Sequence, residues 1–166
     1  ARMTYADVNA ILAGGDPERR ARYEGLVPLF ELMVELFAVL HDRRQRRGSI
    51  DFDLPAAEFL VDDEGMVEAI VAAERNIAHR LIEEFMLVAN ETVAGHLERH
   101  EAPALYRVHE APDASKVAQF EEFISVRGYS LGAPPEAVTP RHFQRLLGRL
   151  HETPEERPIV LYLYTG

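Results

Sequence analysis

The amino-acid sequence predicts an α+β fold, mostly helical with a small antiparallel β-hairpin. Three observations predict it. Leu81, Phe85 and Val88, with Met86, Ala89 and Val93, recur at helical spacing in a segment that Ile77 and Leu97 extend on either side. Glu58-Phe59-Leu60-Val61 and the run Met66 to Val71 flank Asp62-Asp63-Glu64-Gly65, the pattern of two strands around an acidic turn. No repeat, low-complexity tract or long linker divides the 166 residues, whose 47% hydrophobic content suffices for one substantial core.

The elements follow in order. Thr4 to Leu12 is expected to be a short helix with Tyr5, Val8, Ile11 and Leu12 on one face. Gly14-Gly15 breaks it, and Asp16 before Pro17 forms an N-cap with proline at the first helical position. A long helix from Glu18 then buries Leu26, Leu29, Phe30, Met33, Leu36, Phe37 and Leu40, kinked or restarted at Pro28. It ends in Arg43-Arg44-Gln45-Arg46-Arg47 and Gly48, read as a solvated helix end, a phosphate-contact patch or both. Ile50 and Phe52 alternate with polar neighbours ahead of the hairpin. A long helix covers roughly Glu74 to Arg99, and Leu105 to His109 alternates like a short strand. Pro112-Asp113-Ala114-Ser115 starts a helix through Val117, Phe120, Phe123 and Ile124, closed by Gly128. Thr139-Pro140 caps another through Phe143, Leu146, Leu147 and Leu150, and Ile159 to Tyr164 reads as an apolar tail.

The helix around Leu81 is apolar around most of its circumference and is therefore expected to be buried. His79, Glu83 and Asn90 nevertheless share one line of its surface. A buried carboxylate costs several kcal/mol unless it is bonded, so such a line needs partners. Internal hydrogen bonds and a polar ligand running along the helix both satisfy that need.

Composition narrows the function classes. The formal net charge of −10 argues against binding nucleic acid by bulk charge, although a narrow channel needs only a few placed groups. The absence of cysteine removes disulfides, thiolate nucleophiles and zinc–thiolate sites. No apolar run is long enough to span a bilayer, which together with the missing cysteine favours a soluble, cytoplasmic protein. There is no phosphate-binding glycine loop, no dinucleotide turn, no His-Glu-x-x-His and no Gly-x-Ser-x-Gly. His79 and Glu83 could offer a metal two ligands, which is too few, and the acidic turn is an ordinary turn composition. No self-sufficient active site is expected.

Several runs together carry a family resemblance. Ala1-Arg2-Met3-Thr4-Tyr5-Ala6-Asp7-Val8, Arg46-Arg47-Gly48-Ser49-Ile50-Asp51-Phe52, His79 to Met86 with Ala89-Asn90-Glu91, and Pro103 to Pro112 occur in this order. The chain resembles part of the RNB-type catalytic domain of the ribonuclease II / ribonuclease R family, and its ribonuclease R branch more closely. The resemblance implies a processive 3′→5′ exoribonuclease that threads the 3′ end of single-stranded RNA into a narrow channel and releases nucleoside 5′-monophosphates. It also implies a divalent metal, usually magnesium, held by an aspartate cluster. Tyr5 matches a tyrosine that contacts ribose, and Glu83 a glutamate that shares in selecting RNA. Accepting a hydrogen bond from a 2′-hydroxyl is work a carboxylate suits, and DNA lacks that group. Phe52 matches an aromatic that stacks on the last bases, a sequence-tolerant contact. His79 and Asn90 are expected to support these residues, whereas Arg107 and His109 either touch RNA or brace the long helix.

The departures from the family shape the remaining expectations. With Ala1 in place of a methionine, position 1 is expected to be a boundary or a processing site. The family's aspartate cluster precedes the Arg-Met-Thr-Tyr motif, its arginine-bearing active-site segment follows the last residue here, and Asp51, Asp53, Asp62 and Asp63 do not replace that cluster. The chain is thus expected to be a fragment of the catalytic domain with no catalytic or metal-binding residues of its own, inactive alone and prone to self-association through exposed surface. A stand-alone helical module that binds a protein partner is the alternative from a different class.

Overall fold

The computed structural model describes residues 2–52, 57–108 and 110–165, as seven helices and a two-stranded antiparallel sheet. The chain divides into two compact units, Ala1–Asp42 with Leu54–Tyr106, and Arg43–Asp53 with Arg107–Gly166.

In the first unit, α1 (Tyr5–Leu12) starts where the Thr4 hydroxyl accepts the Asp7 amide and donates to the Asp7 carboxylate at 2.6 Å. That hydroxyl bond, with lesser help from Arg19, holds the exposed Asp7 carboxyl below its ordinary value. Asp16 caps α2 (Pro17–Arg22) with proline at its first turn, as the dipeptide requires. The long helix expected from Glu18 is in fact two helices. A 3-10 turn at Glu24–Leu26 separates α2 from α3 (Val27–Arg46), and Pro28 falls in the first turn of α3, where its missing amide costs nothing. Arg20 ties the three together, donating to the Ile11 carbonyl at 3.1 Å and to Glu31 at 2.6 Å. Ile11, Val27 and Phe30 form a small core with Val8, Leu12 and Met33 against it.

The expected stripe of α3 is only half buried. Phe30 and Phe37 are enclosed, whereas Leu26, Leu29 and Leu36 are exposed. The hairpin falls where the alternation placed it, β1 (Ala57–Val61) pairing with β2 (Val67–Ala72). Asp62 closes its turn, its carboxylate accepting the amides of Glu64 and Met66. Neither face of the hairpin is covered among the described residues. Residues 49–52 form no strand, and neither do 102–108, so the second short strand expected from Leu105 onward is not present in its described part. Among the described residues, no strand lies beside that alternation for it to pair with.

Helix α4 (Ile77–Arg99) begins at Asn76, whose side-chain oxygen accepts the amides of Ala78 and His79. Its expected all-round burial is not found. Ala78, Leu81 and Glu84 are enclosed near its start, where α1 packs against it. Met86, Leu87, Val88 and Val93 are open, Met86 at 58% exposure. The apolar pattern of that half calls for a cover that the described residues do not supply.

The second unit has its own core. Val117, Phe120 and Ile124 of α5 (Ala114–Ser125), Leu131, Leu146 and Leu150 of α6 (Pro140–Leu150), and Ile159 of α7 (Glu156–Thr165) form one cluster. The segment read as an apolar tail is thus a helix, with Ile159 fully buried and Tyr162 stacked on Phe123 at 4.5 Å. Asp113 caps α5, and the Ser115 hydroxyl lowers its carboxyl below the ordinary value. The end of α3 is bound by α6. Arg141 donates to the Arg46 carbonyl at 3.0 Å, and the Gln144 amide donates to the Gln45 carbonyl at 3.0 Å and to that of Ser49 at 3.2 Å. Arg141 thereby gives a donor to a carbonyl in the last turn of α3, while the Gln45 carbonyl also accepts the Gly48 amide at 3.0 Å.

Two measurements test this architecture. Gly48 has φ of +96°, and a Cβ there would stand 2.8 Å from Arg141 Cγ. Gly48→Ala is expected to cost about 1–3 kcal/mol in urea unfolding, and trimming Arg141 as well should restore only part of the loss, because the backbone strain persists. Asp7 bears on pH dependence. Its folded carboxyl titrates below the unfolded one, so its stabilisation is present above the unfolded value and is lost as pH falls through the folded value. The stability gap between the native chain and Asp7→Asn should therefore close on acidification below about pH 4, and a gap constant with pH would refute the Thr4–Asp7 contact.

Candidate RNA-contact surface

The start of α4 carries two of the polar side chains singled out above, His79 and Glu83, and Tyr5 lies against it. Consecutive helical residues point about 100° apart, so Glu83 and Glu84 face different surroundings. Glu84 is the buried one, at 3% exposure, and its carboxylate lies 2.8 Å from His41 Nδ1 on α3. The His41 ring stacks on Phe37, whose other neighbour is the Arg80 guanidinium at 5.5 Å from the ring centre. The expectation that Glu83 lies on a buried line is corrected by this arrangement. Glu83 is exposed, and Arg75 grips it through Nε at 3.3 Å and Nη2 at 2.7 Å. Sequence reasoning missed Glu84, His41 and Arg75. The first pair had a legible signal, since Glu84 lies three residues past Leu81 on the inward face.

Tyr5 and His79 meet directly. Their rings stack with centroids 4.1 Å apart and planes 27° from parallel. His79 also shares Asn76 with the helix start, its Nδ1 lying 2.9 Å from the Asn76 side-chain oxygen. That oxygen already accepts two backbone amides, so the imidazole nitrogen facing it is the donor. Glu83 follows His79 one turn later on the same side of the helix. The structure thus gathers Tyr5, His79 and Glu83 at one place, from segments more than seventy residues apart in sequence. Asn90 lies two turns further along, exposed.

The other anticipated residues lie elsewhere. Phe52 belongs to the second unit, where its ring meets Tyr164 of α7 edge-on at 6.1 Å. Arg107 is exposed on an irregular segment of the same unit, and His109 lies outside the described residues. In the basic cluster, Arg44 turns toward the Ser49 hydroxyl and Asp51, so part of that cluster serves the helix end. Among the described residues, no three His, Asp or Glu side chains converge to hold a cation. No described helix is long and apolar enough to cross a membrane.

Comparison with known proteins gives this surface its context. A family model described as the RNB domain matches residues 1–164, and the chain belongs to that family. It is 45% identical to Ribonuclease R of Aquifex aeolicus over 94% of this chain and 22% of that protein. It is 36% identical to Ribonuclease R of Escherichia coli over 93% of this chain and 19% of that protein. The chain therefore spans about a fifth of the length of these curated relatives. A structure of Mycoplasma genitalium RNase R in complex with ribose methylated single-stranded RNA superimposes with a TM-score of 0.86 at 25% identity, over 98% of this chain and 25% of that one. The same enzyme in complex with double-stranded RNA also gives 0.86, over 28% of its chain.

The buried pair has a direct test. Glu84→Ala is expected to lower stability by about 1–3 kcal/mol, and a double-mutant cycle with His41→Ala should reveal coupling between the two. Strictly additive losses would refute the bond.

Proposed function

We propose that the chain is a segment of a 3′→5′ exoribonuclease of the ribonuclease R type, one that degrades single-stranded RNA processively to nucleoside 5′-monophosphates. In this reading the segment supplies RNA-channel residues, and the carboxylates that hold magnesium come from another part of the enzyme. The observation that carries the reading is Tyr5 stacked on His79, one turn before Glu83 at the start of α4, within a chain that the RNB family model matches over residues 1–164. Tyr5 is 46% exposed and presents a ring and a hydroxyl, and Glu83, held by Arg75 one turn past the His79 on which Tyr5 stacks, presents a carboxylate with acceptor capacity to spare. A ribose with its 2′-hydroxyl suits that pair of groups, and deoxyribose does not. Phe52 is the stacking aromatic of the same reading, with His79, Asn90, Arg107 and His109 in support. The bare faces of the hairpin and of the far half of α4 fit surfaces that the rest of the enzyme covers, and they would drive self-association of the chain alone.

In the intact enzyme, Glu83→Ala is expected to narrow the preference for RNA over DNA by about tenfold or more while RNA hydrolysis persists. An unchanged ratio of kcat/KM on matched ribo- and deoxyribo-oligonucleotides would remove Glu83 from the reading. The chain alone, supplied with magnesium, should release no nucleotides from single-stranded RNA, and sustained release would overturn the division of labour.

A further inference from the structure

We propose that His79 is a positioning residue for Tyr5, the imidazole fixing the plane in which the tyrosine meets ribose. This deepens the RNA-selection reading above and rests on it. Tyr5 sits in the first turn of α1, at the exposed end of a short helix, and is only half covered. A tyrosine ring in that setting turns about two side-chain torsions unless something flat lies against it. His79 is that surface, at 4.1 Å and nearly parallel.

The imidazole is itself fixed. Its Nδ1 proton goes to the Asn76 oxygen, which is held in turn by the amides of Ala78 and His79. The ring therefore takes its orientation from the backbone of the first turn of α4, among the better-determined parts of a capped helix. The same turn carries Arg75 just before it and Glu83 just after, so one rigid corner orients both groups assigned to the sugar. Tyr5 is not enclosed by this stack. Its remaining exposure leaves the ring edge and hydroxyl open to a ligand. A stacked aromatic pair contributes enough to decide such an orientation but not enough to hold the fold. Loss of the imidazole should accordingly disturb recognition more than folding.

The test measures kcat/KM of the intact enzyme on matched ribo- and deoxyribo-oligonucleotides, with thermal unfolding alongside. Tyr5→Ala serves as the reference. His79→Ala is expected to lower the RNA-over-DNA ratio by about 2–10-fold, and adding it to Tyr5→Ala should produce no further loss, because both remove the same contact. His79→Phe keeps a flat face without the Asn76 bond and should hold the ratio within about twofold of the native enzyme. His79→Leu fills the volume without a plane and should behave as His79→Ala does, which keeps the test usable should the alanine variant fold poorly. Equal losses on RNA and DNA, leaving the ratio intact in both the alanine and leucine variants, would overturn the positioning role. A lowered ratio in Tyr5→Ala with none in the His79 variants would overturn this inference alone. An unchanged ratio in Tyr5→Ala would overturn the reading of Tyr5 on which it rests.

Discussion

The orientation of α4 about its own axis depends on one buried carboxylate. Glu84 is almost without solvent and must be bonded, and His41 on α3 supplies the bond. Once Glu84 faces inward, helical geometry leaves no freedom for its neighbours. Glu83 turns outward into the reach of Arg75, and His79 turns toward Tyr5. A rotation that exposed Glu84 would bury Glu83 beside apolar residues, and it would carry the imidazole away from α1. The RNA-contact surface proposed here is thus the outer consequence of an inner polar bond.

A second constraint acts through helix ends. Helix α1 starts on Thr4, α4 on Asn76, and α3 stops where Gln144 and Arg141 take its last carbonyls. Each is a point where backbone polar groups would otherwise lack partners. Two of the three also carry residues of the proposed surface, Tyr5 just after one cap and His79 inside the other. In the proposed surface the contact residues sit next to caps, because a capped turn is a rigid place to mount a side chain. The open apolar half of α4 shows the opposite regime. Met86, Leu87, Val88 and Val93 fit a covered helix, yet they are bare in this chain. A chain of about a fifth of its relatives' length offers them no partner among the described residues.

Local signals in the sequence were the dependable ones. The caps at Asp16 and Thr139, the helix starts at Thr4 and Asp113, the glycine stop at Gly48, and the hairpin around its acidic turn all lie where their residues put them. Each depends on chemistry within a few positions. The errors came from inferring burial from pattern. Leu29 and Leu36 belong to the apolar stripe of α3 but face outward, the run from Leu105 has no strand to pair with among the described residues, and the apolar end of the chain is a helix. Periodicity states which residues want cover and is silent on what covers them.

By itself, then, the sequence determined the α+β class, the hairpin, the starts of most helices and, through its motifs, the family. It also singled out Tyr5, His79 and Glu83 as residues worth following. Only the tertiary structure decided which of two adjacent glutamates is buried, that Arg75 grips the other, and that Tyr5 lies on His79. The physical reason is range. A cap or a turn is settled within one turn of the chain, whereas the direction a helix faces is settled by a partner such as His41, forty-three positions from Glu84.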